Sequence, residues 1–352
     1  MFHTGARVHR ATSFPILLAL IGLTILLAAG CATGEPGIRG TVAPEGGVET
    51  PPPALTPITL VVGFVPNVQF APIYVAREEG FFREAGIDLS IEHSFDETDG
   101  LTRIATNNLK FGMISGEQVL LARQQGAQVQ YVYRWFQRFP VGVVAPADSG
   151  ITDPESLRGR VVGVPGLYGA SYIGLRALLH AAGMEESDLG RLESIGFDIA
   201  PVMCDGRVDA AVVYIANEPA QIDARCFPVT VIPVADYANL VSNGLVTNQV
   251  TIDEQPDLVR AVVQALDRGL ALTISDPDLA YRVSRAYVEN LGEDDPVQRG
   301  VLARSIELWR AERLGFSDIE DWRRTAETLR DMGLLTGEVD VEAAFTNAFL
   351  PD

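Results

Sequence analysis

Gly63-Phe64-Val65-Pro66-Asn67-Val68-Gln69-Phe70-Ala71-Pro72-Ile73-Tyr74-Val75-Ala76-Arg77-Glu78-Glu79-Gly80-Phe81-Phe82 reads as the end of a buried strand, a polar loop and then a helix. Residues 59–64 form a β-branched and aromatic run that stops at Pro66. Its length and that breaker favour a strand over a helix. Pro72 stands where a first helical turn tolerates proline, and Gly80 where a helix commonly ends. Asn67 and Gln69 are therefore two amides at the carboxyl end of the first strand, the place where open α/β sheets bind ligands.

Outward from that stretch the pattern repeats. Residues 86–92 alternate as a strand, 99–107 read as a helix, 111–114 as a short buried strand, and 119–125 as a helix opened by Ser115-Gly116-Glu117-Gln118. Residues 129–135 are the next strand. Strand and helix in alternation predict a mostly parallel sheet covered by helices. A second α/β unit follows. It has strands at 161–164, 208–214 and 229–234, with helices at 172–182, 200–204 and 217–224. Residues 245–250 read as a return strand, and from Pro256 onward the pattern turns helical. The expected architecture is two α/β lobes joined by two crossing segments, near 139–144 and 235–246. Lobe I takes residues 58–140 and 245–352, and lobe II takes 141–244. Ligands favour such interdomain clefts.

The chain of 352 residues carries a net charge of −19, which argues against a nucleic-acid surface. Lys110 is the only lysine, so Schiff-base chemistry would rest on one residue. His93 and His180 are the histidines past the amino-terminal segment, and no phosphate loop, nucleophilic serine motif or zinc spacing is present. Arg7 and Arg10 precede an apolar run over 14–30, the pattern of an export signal over residues 1–30. The run ends Leu27-Ala28-Ala29-Gly30-Cys31, which resembles a lipoprotein processing box with Cys31 as the lipidated residue. Residues 31–57 follow with Gly, Pro, Thr and Glu and no hydrophobic period, and read as a disordered tether. The body is expected outside the cytoplasmic membrane, lipid-anchored to it.

The quoted stretch, continued as GFVPNVQFAPIYVAREEGFFREAGIDL, resembles the opening of solute-binding proteins related to the thiamine-pyrimidine-precursor, sulfonate and riboflavin receptors of ABC importers. FGMISGEQVLLARQQG, VVGVPGLYGASYIGLRALL and VDAAVVYIANEPAQI follow in the family's order. The resemblance implies a bilobed, hinged α/β fold of the periplasmic-binding-protein kind (type II), acting as a monomer with an ABC permease and its ATPase. It implies no enzyme activity and no cofactor. Fungal relatives that make the thiamine pyrimidine carry a tight cysteine cluster, whereas Cys204 and Cys226 are isolated here. In an exported lobe those two are either a disulfide or two buried thiols.

Five segments are expected to meet in the cleft. Asn67, Gln69 and Tyr74 come first, the amides able to read a heterocycle's donors and acceptors. Asn67 also suits a turn cap, and Tyr74 the core. Ser115, Gly116 and Glu117 come second, with a glycine small enough to admit a ligand to the backbone. They equally suit a helix cap and first turn. Trp135 and Phe136 end a strand beside the first crossing, where a tryptophan is either a stacking platform for a planar ring or a core residue. Tyr168 and Ser171 sit at a helix amino terminus, which binds anions or carbonyl oxygens. Tyr214, Asn217 and Glu218 follow a buried strand, with Asn248, and also Asn243, on the returning segment. Rings and neutral polar groups point to a flat, uncharged heterocycle. PNVQFAPIYVA, SGEQVLLARQQG, RFPVGVV and SNGLVTN most resemble the riboflavin-binding members, so riboflavin is expected first and a thiamine pyrimidine precursor second. Nitrate and sulfonate follow, then an exported pyrimidine-acting enzyme or a sensor subunit.

Overall fold

Among the described residues, ten strands build two five-stranded sheets. They are β1 (Thr56–Gly63), β2 (Ile87–Ser94), β3 (Phe111–Ser115), β4 (Val129–Arg134), β5 (Val141–Pro146), β6 (Val161–Val164), β7 (Arg191–Ser194), β8 (Ala210–Tyr214), β9 (Val229–Pro233) and β10 (Asn243–Asn248). The structure, a computed structural model, describes residues 54–351, all within the compact unit Pro52–Asp352. The expected signal segment, Cys31 and nearly all of the tether lie outside the described residues. β1 begins at Thr56, inside the stretch expected as tether, because its first residues already pair with Ile87 and Asp88 of β2. Pro57 is tolerated there, at the start of a strand.

The first sheet runs β2-β1-β3-β10-β4 and the second β7-β6-β8-β5-β9. In each, β1, β2 and β3, or β6, β7 and β8, are parallel, as strand–helix alternation demands. Each sheet also holds one reversed strand: β10 is antiparallel to β3 and β4, and β5 to β8 and β9. Those two strands lie beside the points where the chain leaves one sheet for the other, at 135–140 and 234–242. This is a bilobed α/β fold.

The carboxyl-terminal helices lock onto the first sheet's side. Pro256–Ser275 packs on Ala71–Glu78, and at Gly269 a Cβ would stand 2.3 Å from the Pro72 carbonyl oxygen, so only glycine fits. Ile319–Asp331 places Trp322 edge-on against Tyr131, and Arg134 pairs with Asp321 at 2.5 Å. Cys204 and Cys226 are disulfide-bonded with Cα atoms 5.6 Å apart, joining the helices Ile199–Cys204 and Glu218–Arg225 of the second lobe.

Candidate functional site

A cleft lies between the lobes at the carboxyl ends of their parallel strands, with about 970 Å³ of free space including open solvent at its mouth. Gly63, which ends β1, and Phe64, which follows it, line one side. Phe64 has φ 68°, a left-handed backbone that a bulky residue seldom adopts, and its carbonyl oxygen lies 3.1 Å from His93 Nδ1. Strain of this kind gathers at ligand clamps. The other ring nitrogen of His93 lies 3.3 Å from the Tyr74 hydroxyl, which explains why this strand-end histidine is half-buried.

Gln69 and Phe70 line the cleft from the short turn Val68–Phe70, which Asn67 caps by accepting from the Gln69 amide at 3.0 Å. Trp135 and Phe136, on the first crossing, line it from the first lobe. Tyr168 and Ser171 stand opposite at the start of the helix Gly169–Ala181, with Tyr214 at the end of β8 and Glu218 at the start of the helix Glu218–Arg225. Trp135 is 2 % exposed, packed in a cluster with Phe136 and Trp309, so it is a core residue with one side on the cleft and not an exposed platform.

Other candidates do not line the cleft. Gly116 donates its N–H to the carbonyls of Val241 and Ser242, and a Cβ there would stand 2.4 Å from Val241. Its smallness answers to chain packing and not to a ligand. Ser115 donates to Glu117 at 2.5 Å, and both are fully buried behind the lining. Tyr74 stacks on Tyr287. Asn217 holds Glu218 and Gln221, and meets Asn67 from the other lobe at 3.4 Å. Asn248 is a correction: at the far end of β10 it accepts from the Thr251 amide as a helix cap and donates to the Ile104 carbonyl. Its partner on the same strand, Asn243, lines the cleft instead.

The lining also holds residues that the sequence reading passed over. Phe95 and Glu97 follow β2, and Phe197 follows β7. The strand-end rule that selected Asn67 would have found Phe95 as well, next after Ser94 at the end of β2. Phe197 touches Phe64 at 5.5 Å and Phe95 at 4.8 Å between ring centroids, joining the lobes at the mouth.

Glu97 centres a polar pole of the cleft. Asn243 donates to Glu97 at 2.6 Å, Gln118 also donates to Glu97, and the Tyr214 hydroxyl donates to Asn243 at 3.1 Å. The Glu97 residue is only half-buried, but its carboxylate end is turned inward among these partners. Burial pushes its carboxyl up to about 7, against the pull of the donors. Burial likewise pushes Glu117 up to about 8 and Glu218 to about 7. Nearby arginines are engaged elsewhere: Arg134 with Asp321, Arg138 with Asp236.

The NMT1/THI5 like family matches residues 67–280. The chain is 37% identical over 344 residues to the riboflavin-binding protein RibY of Chloroflexus aurantiacus, covering 95% of this chain and 97% of that one. It is 23% identical to the 4-amino-5-hydroxymethyl-2-methylpyrimidine phosphate synthase of Legionella pneumophila, over 84% of this chain and 92% of that one. Among solved structures, the periplasmic aliphatic sulphonate binding protein SsuA of Escherichia coli superposes with a TM-score of 0.66 at 14% identity, covering 82% of this chain and 91% of that one. That likeness identifies the two-lobed architecture as the periplasmic-binding-protein fold, type II. By the extent of both sequence matches, the chain belongs to the NMT1/THI5-like family.

Proposed function

We propose that this chain is the substrate-binding component of an ABC-type importer. In this reading it captures a flat, uncharged heterocycle, riboflavin, between its lobes and presents it to a permease coupled to an ATPase. The observation that carries the reading is the lining: aromatic rings from both lobes around a polar pole at Glu97, with no arginine or lysine among the described lining residues. Rings stack on a planar ligand, and the amides and carboxyls at the pole read its N–H and O–H groups. The resemblance to a protein named for riboflavin binding supports that ligand. In this reading Cys31 carries the lipid anchor, the lobes divide near residues 140 and 245, and the protein works outside the membrane as a monomer without chemistry of its own.

A pyrimidine is the second reading, as ligand or as the product of a synthase, because of the Legionella relative. Titration of purified protein into riboflavin separates the two. A stacked isoalloxazine exchanges water for an aromatic neighbour, so its fluorescence should fall on binding. Unchanged fluorescence at micromolar protein, with tight binding of a thiamine pyrimidine precursor, reverses the order. Release of a new pyrimidine product on incubation would make the protein an enzyme.

A further inference from the structure

Three glutamates gather at the cleft, and they are not equivalent. Glu218 has both oxygens occupied, by the Tyr214 amide at 3.0 Å and the Asn217 side chain at 3.1 Å. Glu117 lies behind the lining with one partner, the Ser115 hydroxyl, and its Oε2 has none. Glu97 lines the cleft and accepts from two amides, Asn243 at 2.6 Å and Gln118. Glu97 and Glu117 meet at one hydroxyl, Ser115 Oγ, 3.4 Å from the first and 2.5 Å from the second. Carboxyls this close do not both ionise readily. The amide donors stabilise the charge on Glu97 and leave the proton to Glu117.

A second observation comes from the opposite lobe. Glu97 Oε2 lies 3.9 Å from where a Cβ on Gly169 would sit. Gly169 is the first residue of the thirteen-residue helix Gly169–Ala181, whose start at Tyr168 has no side-chain cap. An uncapped helix start is where an incoming anion would settle. Here the protein's own carboxylate already faces it across the cleft.

We propose that Glu97 is the specificity-determining residue of this cleft: its carboxylate takes hydrogen bonds from hydroxyl or N–H groups of the ligand and turns away phosphate esters and sulfonates. The proposal deepens the reading of the cleft as the ligand site and rests on it. A ligand donor meets a charged, enclosed acceptor, the stronger kind of hydrogen bond. A phosphate or sulfonate meets like charge where no lining cation offsets it. A phosphorylated form of the same ligand must therefore lose its phosphate, in a phosphomonoester hydrolysis, before this site accepts it.

The test uses the purified protein at about pH 8, where Glu97, raised to about 7, is mostly ionised. Two matched pairs are titrated: riboflavin and its phosphate ester, and the thiamine-precursor hydroxymethylpyrimidine and its phosphate. Wild type should bind the alcohol of at least one pair about 100-fold more tightly than the ester. Glu97→Gln should weaken alcohol binding about tenfold and narrow the alcohol–ester gap to a similar figure. Glu97→Asp keeps the charge and should keep the gap. Silent flavins with a pyrimidine pair split by the same margin would discard riboflavin and support Glu97. An ester bound by wild type as tightly as its alcohol overturns the role of Glu97 even if Glu97→Gln fails to fold, and leaves the ligand assignment standing. A gap that persists in Glu97→Gln overturns it too, and binding of none of the four compounds overturns both.

Discussion

Trp135 serves two surfaces at once. Its ring packs against Phe136 and Trp309 inside the first lobe and also lines the cleft, and its buried indole N–H has no partner. Trp135→Ala should therefore cost about 3–5 kcal/mol of stability, as a large core truncation does. It should also cost about 1–3 kcal/mol of riboflavin binding, the range for stacking on an aromatic platform. Trp135→Phe separates the terms by keeping the core filled. Urea unfolding beside ligand titration reads both, and lowered stability with unchanged affinity would leave Trp135 to the core alone. Glu117 makes a pH prediction. Its folded pKa is raised to about 8 by burial, so it holds a proton that the unfolded chain has already released. The native state binds more protons across the window from about 4.5 to about 8, and the stability this group contributes is lost as pH rises through it. Glu117→Gln should gain on wild type between about pH 5 and about pH 8.5, on the order of a few kcal/mol. Unfolding curves that stay parallel across that window would remove the proton from Glu117. Residue types were legible in the sequence where a strand end announced them, as at Gln69, Trp135 and Tyr214. Glu97 was not, because Asp96-Glu97-Thr98-Asp99 looks like a solvated acidic helix start until Asn243, distant in sequence, closes over it.

At the scale of elements, alternating strand and helix made the two α/β units readable, along with the breakers that end them. The reversed strands β5 and β10 were not readable as reversed, because their direction is set by pairing between residues far apart: Val141 lies opposite Tyr214, and Asn243 opposite Ser115. β7 was passed over altogether. Its residues Arg191–Ser194 form an edge strand with little buried apolar surface, so the hydrophobic period that betrays a strand is missing, and Phe197 beyond it went unseen. The Cys204–Cys226 bridge is likewise a tertiary fact, created by the packing of the two helices that carry it. It closes a loop with a sequence separation of 22, which constrains the unfolded chain by about 3 kcal/mol. Reduction, or Cys204→Ser with Cys226→Ser, should lower stability by about that amount. The loss should appear as faster amide exchange in Ile199–Cys204 and Glu218–Arg225, with the first sheet unaffected. Uniform loss of protection across both sheets would mean the bridge braces the whole body and not one lobe.

At the scale of the whole molecule, the lobes meet through rings at the cleft mouth. Phe197 of the second lobe sits against Phe64 and Phe95 of the first, and Phe95 is otherwise half exposed. Aromatic pairs of this geometry contribute about 0.5–1.5 kcal/mol each beyond their buried area. Under the proposed function the lobes open and close on a hinge, and both pairs, which exist only when the lobes are together, bias it toward the closed arrangement. A ligand that binds the closed form is held less tightly when the closed fraction falls, in proportion to that fraction. Phe197→Ala should therefore raise the apparent Kd about tenfold. Small-angle scattering should show the free variant more extended than free wild type, the two converging when saturated with ligand. The convergence is the informative part, because ligand supplies the closing energy the missing ring withheld. Equal radii of gyration for the two free proteins, with the affinity still reduced, would mean that Phe197 acts by touching the ligand and that the mouth rings do not set the hinge.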